Sequence, residues 1–170
     1  MSEHPLVQLA RKTIETYIKE DKIISPPEKL TPEMQEKAGV FVSLHARGQL
    51  RGCIGTFAPT QPNVALEIIH NAIESSTQDP RFPPVEADEL PRLEISVDVL
   101  SAPEAVATKN ELNPKCYGCI VKAGFRRGLL LPDLEGVNTP EEQIAICRGK
   151  AGIGENEKVD LFRFKVKRYH

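Results

Sequence analysis

The segment Leu50–Thr56 places a cysteine between two glycines, with an arginine two residues before it. It has the pattern of a β-strand, in which alternate side chains lie on one face, so Arg51 and Cys53 are expected to share a face. A guanidinium close to a thiol favours the thiolate, the reactive form of cysteine. The motif therefore predicts a catalytic role for Cys53 and Arg51. The alternative is that Cys53 is a small buried side chain that only packs.

The two glycines of this motif, Gly52 and Gly55, add no bulk to the strand. A strand glycine often marks a place where a ligand or another backbone approaches closely. Both are therefore candidate substrate-binding positions, and tight packing is the alternative.

A histidine lies close to the cysteine in the expected hairpin. His45 ends the preceding strand, and a turn at Ala46–Gln49 would put it opposite Leu50 or Arg51. A Cys–His pair is the usual way to activate a thiol, so His45 is a third catalytic candidate.

The segment Asp79-Pro80-Arg81-Phe82-Pro83-Pro84 has too many prolines for a helix or a central strand, and it predicts a stiff loop. Stiff loops often carry binding groups. Arg81 could bind a carboxylate or phosphate through two hydrogen bonds, with Asp79 beside it in the site. Alternatively, Arg81 forms a salt bridge with Asp79 or another loop and has a structural role.

Cys116 and Cys119 form a C-x-x-C motif, which is half of a zinc site or a redox pair. Zinc requires four ligands, and the chain has no second C-x-x-C. We therefore expect no metal and no cofactor. A structural role is favoured for this pair, and metal binding or a disulfide stays open.

The remaining patterns predict an α+β fold with mixed or antiparallel sheets and flanking helices. Residues 1–170 would form one domain, or two intergrown lobes connected near residues 21–39, a segment rich in proline and charge. Helices are predicted over residues 5–18, 60–76 and 140–152, the last with a capping box at Thr139. Strands are predicted over residues 40–44, 50–56, 93–100, 119–121, 129–131 and 159–167. The strand at 40–44 is expected to be buried on both faces or nearly so, and the strand at 93–100 alternates, with Glu94, Ser96 and Asp98 on its polar side.

The composition limits the classes of partner. With 22 basic and 24 acidic residues the net charge is −2, which makes nucleic acid an unlikely ligand, although Lys165, Lys167 and Arg168 could form a small basic patch. Lysines that protect an edge strand from aggregation are the favoured explanation for that cluster. No apolar run is long enough for a membrane span, and the first residues do not have the pattern of a secretory signal. We expect a soluble cytoplasmic protein with reduced cysteines.

The order of five motifs resembles that of the AMMECR domain family. These motifs are Leu50–Gly55, Asp79–Phe82, Leu93–Ser101, Gly128–Pro132 and Cys147–Gly152. The resemblance implies a two-lobed α+β protein whose active or binding site is Leu50–Gly55. It also implies an association with a Memo-type protein and a radical-SAM enzyme, and hence a catalytic or accessory role in a shared modification pathway. A non-catalytic module that binds a ligand or a protein is the alternative, and RNA or nucleotide binding is a weaker one.

Overall fold

The computed structural model describes residues 2–170, which divide into two compact units. The first unit contains residues 2–100 and 167–170, and the second contains residues 101–166. The segment 21–39, considered above as a connection between lobes, lies inside the first unit. The chain leaves that unit after Leu100 and returns to it at Lys167 instead.

The helices largely follow the sequence prediction. The α-helices are α1 (Pro5–Glu20), α2 (Pro32–Gln35), α3 (Val64–Thr77) and α4 (Pro140–Ala151), and short 3-10 helices span Ala87–Arg92 and Lys109–Glu111. Helix α3 begins four residues later than predicted because Asn63 caps it, accepting a hydrogen bond from the Leu66 N–H. The predicted cap of α4 is confirmed, since the Thr139 side chain accepts from the Glu142 N–H.

Within residues 2–170, eight strands form two four-stranded sheets. The strands are β1 (Val40–Ala46), β2 (Gln49–Gly55), β3 (Glu94–Leu100), β4 (Glu104–Val106), β5 (Gly118–Ala123), β6 (Arg126–Leu130), β7 (Asp160–Phe164) and β8 (Val166–Tyr169). The sheet of the first unit has the order β2-β1-β3-β8, and the sheet of the second has the order β4-β7-β5-β6. This arrangement confirms the α+β class.

The single strand predicted over residues 159–167 is wrong, because β7 and β8 belong to different sheets. The break falls at Lys165, whose backbone bonds to Ser101 instead of continuing the ladder. The Lys165 carbonyl accepts from the Ser101 N–H at 2.8 Å, and its N–H donates to the Ser101 hydroxyl at 2.7 Å.

The first sheet is covered on one face by helices α1 and α3. Strand β1 was expected to be buried on both faces, but its burial alternates, with Val40, Val42 and Leu44 fully buried and Ser43 only partly buried. The apolar face of β3 is as predicted at Ile95 and Val97, which lie in the core, but Asp98 on the opposite face is buried as well. The other face of this sheet carries polar side chains, and we call it the polar face; it includes Ser43, Cys53, Ser96 and Asp98.

In the second unit helix α4 packs on β5 and β6. The hairpin between these strands turns at Gly124, which has a φ of 62°. The core is built from apolar side chains and two cysteines, namely Leu112, Cys119, Val121, Leu130, Val137, Cys147 and Ile153. No helix within residues 2–170 has the length and apolar character needed to cross a membrane.

Candidate functional site

The polar face has a row of small side chains that runs across three strands. The antiparallel register puts Ser43 of β1 opposite Cys53 of β2, and opposite Ser96 of β3 on its other side. The Cys53 Sγ atom lies 3.2 Å from the Ser43 Oγ atom, within hydrogen-bonding distance. Side chains approach closely in antiparallel pairs whose backbones do not bond to each other. Cys53 fits such a pair, because its backbone groups bond elsewhere.

Those backbone groups are held by the loop that follows α3. The Asp79 carboxylate accepts from the Cys53 N–H at 3.0 Å, and the Arg81 guanidinium donates to the Cys53 carbonyl at 3.2 Å. Arg81 also binds the Asp79 carboxylate through its side chain, at 2.8 and 3.0 Å, and through its own N–H. Asp79 is buried while Arg81 is about half exposed. The loop therefore fixes the edge of β2 at the cysteine. The hydrogen bonds that the Asp79 carboxylate accepts, above all from the Arg81 side chain, hold the pKa of Asp79 well below its usual range.

The pKa of the Cys53 thiol is raised, and burial is the largest cause. The Ser43 hydrogen bond and the positive charge of Arg81 act in the opposite direction but do not overcome burial. The negative charges of Asp98 and Asp79 add to the increase. Burial therefore favours the protonated thiol, whereas the sequence pattern predicted a thiolate, and a catalytic role for Cys53 stays a prediction.

Arg51 does not supply the charge that was expected to act on the thiol. Its guanidinium binds the Glu89 carboxylate at 2.8 and 3.1 Å and the Pro84 carbonyl at 3.3 Å. The cation that acts on Cys53 is Arg81, from the stiff loop. Arg51 instead ties β2 to the segment before β3, and a catalytic role for it stays a prediction.

His45 lies opposite Leu50, one of the two positions expected from the turn. The ladder has an irregularity between Leu44 and His45, which alters the register at this end of the hairpin. Within residues 2–170 the hydrogen-bonding partner of the Cys53 sulfur is Ser43, not His45. In the part of the chain that the structure describes, Cys53 is therefore paired with Ser43 and not with His45, and a catalytic role for His45 stays a prediction.

The space beside Gly52 and Gly55 is filled by the protein itself. A Cβ atom on Gly52 would overlap the Ser75 carbonyl oxygen at the end of α3, and one on Gly55 would overlap the Phe41 ring. Packing accounts for both glycines, and their role in substrate binding stays a prediction.

A second acid–base pair lies on the polar face. Asp98 is almost completely buried, and its two carboxylate oxygens accept from the Arg168 guanidinium at 2.7 and 2.8 Å. The sequence pattern put Ser96 and Asp98 on the polar side of β3 without indicating a role for either. The pairing with Arg168 joins residues 70 positions apart, so no local signal could have revealed it.

The loop that follows β2 is organised by a glutamate of α3 that the sequence did not single out. Glu67 is fully buried and accepts hydrogen bonds from both the hydroxyl and the N–H of Thr60, from the Thr56 hydroxyl and from the Gln61 N–H. Asn71, one turn later, donates to the Val40 carbonyl and the Thr56 hydroxyl. These buried contacts fix the chain that leaves the cysteine motif.

The C-x-x-C motif lies in the second unit. All four cysteines are free thiols; Cys116 is exposed, and Cys119 is buried against Cys147 in the second unit. Within residues 2–170 no group of three or more His, Cys, Asp or Glu side chains is arranged to hold a metal ion.

These features define a two-unit α+β protein with a polar sheet face around a cysteine motif. The model of the AMMECR1 family matches residues 7–169, so the chain belongs to the AMMECR1 family. A protein of Thermotoga maritima is 54% identical over 99% of both chains. The crystal structure of the uncharacterized protein PH0010 from Pyrococcus horikoshii has a TM-score of 0.87 and 37% identity, covering 96% of this chain and 88% of that one.

A longer relative comes from Clostridium acetobutylicum. It is 50% identical over 97% of this chain, but the match occupies only 36% of its own length. The chain therefore spans about a third of that relative, in which the same kind of domain is joined to additional polypeptide.

Proposed function

We propose that this protein is an accessory, ligand-binding component of a modification pathway shared with a Memo-type protein and a radical-SAM enzyme. The polar face around Cys53 would bind the small molecule on which that pathway acts. The observation that carries the proposal is the 3.2 Å contact between the partly buried Cys53 thiol and the Ser43 hydroxyl, with Ser96 opposite Ser43 on the next strand. Such a row recognises a ligand through hydrogen bonds and has no activated nucleophile.

The surroundings of the row support binding over catalysis. An Asp–Arg pair lies at each side of it, Asp79 with Arg81 and Asp98 with Arg168, and both carboxylates are buried. Paired charges of this kind hold groups in place, so neither Asp79 nor Asp98 is free to take a proton. The proposal places the protein in the cytoplasm, where a reducing environment keeps Cys53 a free thiol.

The longer Clostridium relative supports association with other proteins. Components of one pathway gain effective concentration when they are joined in one chain, and the additional polypeptide of this relative is long enough to hold such a component. The partners themselves, the Memo-type protein and the radical-SAM enzyme, are inferred from the family resemblance.

The test is to co-express the tagged full-length chain with both partners, isolate it under native conditions and identify released small molecules by mass spectrometry. Wild type and the Cys116→Ala control, which alters an exposed cysteine of the second unit, should carry a molecule of the same mass. Ser43→Ala should lose most of it. Equal recovery from Ser43→Ala and wild type would contradict the proposal, as would the absence of any enriched molecule.

A nucleophilic role for Cys53 is the second candidate, favoured by one observation. The sulfur is only partly buried, and the positive charge of Arg81 acts to lower its pKa. The two candidates differ in the effect of Cys53→Ser on the pathway product in cells. A nucleophilic thiol predicts complete loss of product, whereas a binding thiol predicts that product formation continues.

A further inference from the structure

A pocket of about 390 Å³ lies on the first unit beside the Cys53 row. Its polar side chains come from β1, β3, β8 and the residue after β8, namely Ser43, His45, Glu94, Ser96, Arg168 and His170. Ser43 belongs both to this pocket and to the hydrogen bond with Cys53. The pocket therefore continues the site from the cysteine across the polar face.

Three side chains of this pocket differ from the charged groups around the Cys53 row in their bonding. Asp79, Asp98 and Arg81 are tied to other protein groups. Within residues 2–170, however, the Ser96 hydroxyl, the His45 imidazole and the Glu94 carboxylate have no hydrogen-bonding partner in the protein. Three polar groups that converge on one cavity without protein partners are suited to bind a ligand.

The lining groups indicate which ligand would fit. A protonated Cys53 thiol can donate to the Ser43 oxygen, which leaves the Ser43 hydroxyl free to donate towards the pocket. The Ser96 hydroxyl and the His45 imidazole are further donors, and the Arg168 guanidinium lines the pocket with its charge balanced by Asp98, both of whose oxygens it binds. Donors outnumber the single carboxylate, Glu94, which is exposed.

We propose that this pocket binds the oxyanion group, a carboxylate or a phosphate, of the small molecule whose remainder reaches Cys53. The inference rests on the proposed function for the link to Cys53. The oxyanion site itself can be tested without knowing the pathway or its partners. Hydrogen bonds from the hydroxyl and imidazole groups to the charged oxygens of the ligand would hold it.

The experiment is a titration of the ¹⁵N-labelled full-length chain with inorganic phosphate and, separately, with acetate at pH 7. Saturable changes in amide chemical shift are expected at Ser43, His45 and Ser96. The anion that saturates at the lower concentration identifies phosphate or carboxylate as the recognised group. Changes that do not saturate with either anion would overturn the inference.

Variants make the test specific to the pocket. His45→Ala and Ser96→Ala should each weaken binding by about tenfold, the loss expected for one charge-assisted hydrogen bond. Glu94→Gln removes the one carboxylate and should tighten binding by about threefold. His70→Ala is the matched control, because this histidine is exposed on α3. Unchanged affinity in both His45→Ala and Ser96→Ala would overturn the inference.

The outcomes separate this inference from the proposed function. If phosphate and acetate fail to bind but Ser43→Ala still loses the co-isolated molecule, only the oxyanion site is wrong. If the anions bind as expected while no molecule is co-isolated, the oxyanion site is supported and the proposed pathway role is contradicted.

Discussion

The Asp79 carboxylate accepts a 3.0 Å hydrogen bond from the backbone N–H of Cys53, although the two residues are 26 positions apart. The same carboxylate binds the Arg81 side chain, which in turn donates to the Cys53 carbonyl. Both outward-facing backbone groups of Cys53 are thus satisfied by one loop. An unprotected edge strand would expose these groups to other chains, so the loop both protects β2 and positions its cysteine.

Asp79→Asn should destabilise the protein by about 2 kcal/mol at pH 7, because an amide cannot accept all the hydrogen bonds that the buried carboxylate accepts. The pKa of Asp79 is held well below its usual range in the folded state. Its stabilising effect is therefore complete above the unfolded pKa of about 4 and decreases as pH falls towards the folded pKa.

Urea unfolding of Asp79→Asn and wild type at pH 7 and pH 3 measures this difference. The difference in the free energy of unfolding between the two proteins should be smaller at pH 3 than at pH 7. Asp88→Asn, at an exposed position of the 3-10 helix, is the control and should change stability by less than about 0.5 kcal/mol. An equal gap at both pH values would contradict the role assigned to the carboxylate.

Gly52→Ala should destabilise the first unit by about 2 kcal/mol, since the new methyl group would overlap the Ser75 carbonyl and force β2 and α3 apart. Gly149→Ala is the matched control, because a Cβ atom there meets open space on a helix. The Gly149→Ala variant should be more stable than wild type by about 0.5–1 kcal/mol, because alanine has a higher helix propensity than glycine. Thermal unfolding measures the stability of both variants. A Gly52→Ala protein as stable as wild type would show that β2 accommodates a methyl group at this position.

Glu67→Gln should loosen the loop at residues 56–61 without unfolding α3. Glutamine has one acceptor oxygen where the buried carboxylate has two, so at least one of the hydrogen bonds from Thr56, Thr60 and Gln61 is lost. The free energy of unfolding of this variant should be lower than that of wild type by about 2 kcal/mol. Hydrogen exchange should be faster at the Thr60 and Gln61 amides and unchanged at the centre of α1. Unchanged protection at these two amides would contradict the role of Glu67.

The sequence predicted the parts of this structure that depend on local pattern. The cap at Thr139, the alternation in β3 and the stiff loop at Asp79 each follow from neighbouring residue types. Pairings between residues far apart in the chain could not be predicted from the sequence alone. The position of Ser43 opposite Cys53 depends on the register of β1 and β2, and the break at Lys165 depends on its bonds to Ser101. Arg51 was favoured as the activating cation because it is close in sequence, whereas Arg81 reaches Cys53 through the fold.

Alkylation of Cys53 should follow an apparent pKa above the ordinary cysteine value of about 8.5, because burial disfavours the thiolate. At pH 7 the thiol should react at least about tenfold more slowly than the exposed Cys116, since only the thiolate attacks the reagent. The rates of both cysteines are read by peptide mass spectrometry of the native protein between pH 6 and 10.

Three variants identify the groups that set this pKa. Ser43→Ala and Arg81→Ala should each raise it further, because each removes an interaction that lowers the pKa of Cys53. Arg81→Lys keeps the positive charge and should therefore raise the pKa of Cys53 less than Arg81→Ala does. It is the control for a general loss of structure at this position. Arg51→Ala should leave it unchanged, since the Arg51 guanidinium is paired with Glu89. An apparent pKa for Cys53 below 7, sensitive to Arg51→Ala, would reverse this assignment and favour a nucleophilic thiol activated as the sequence alone suggested.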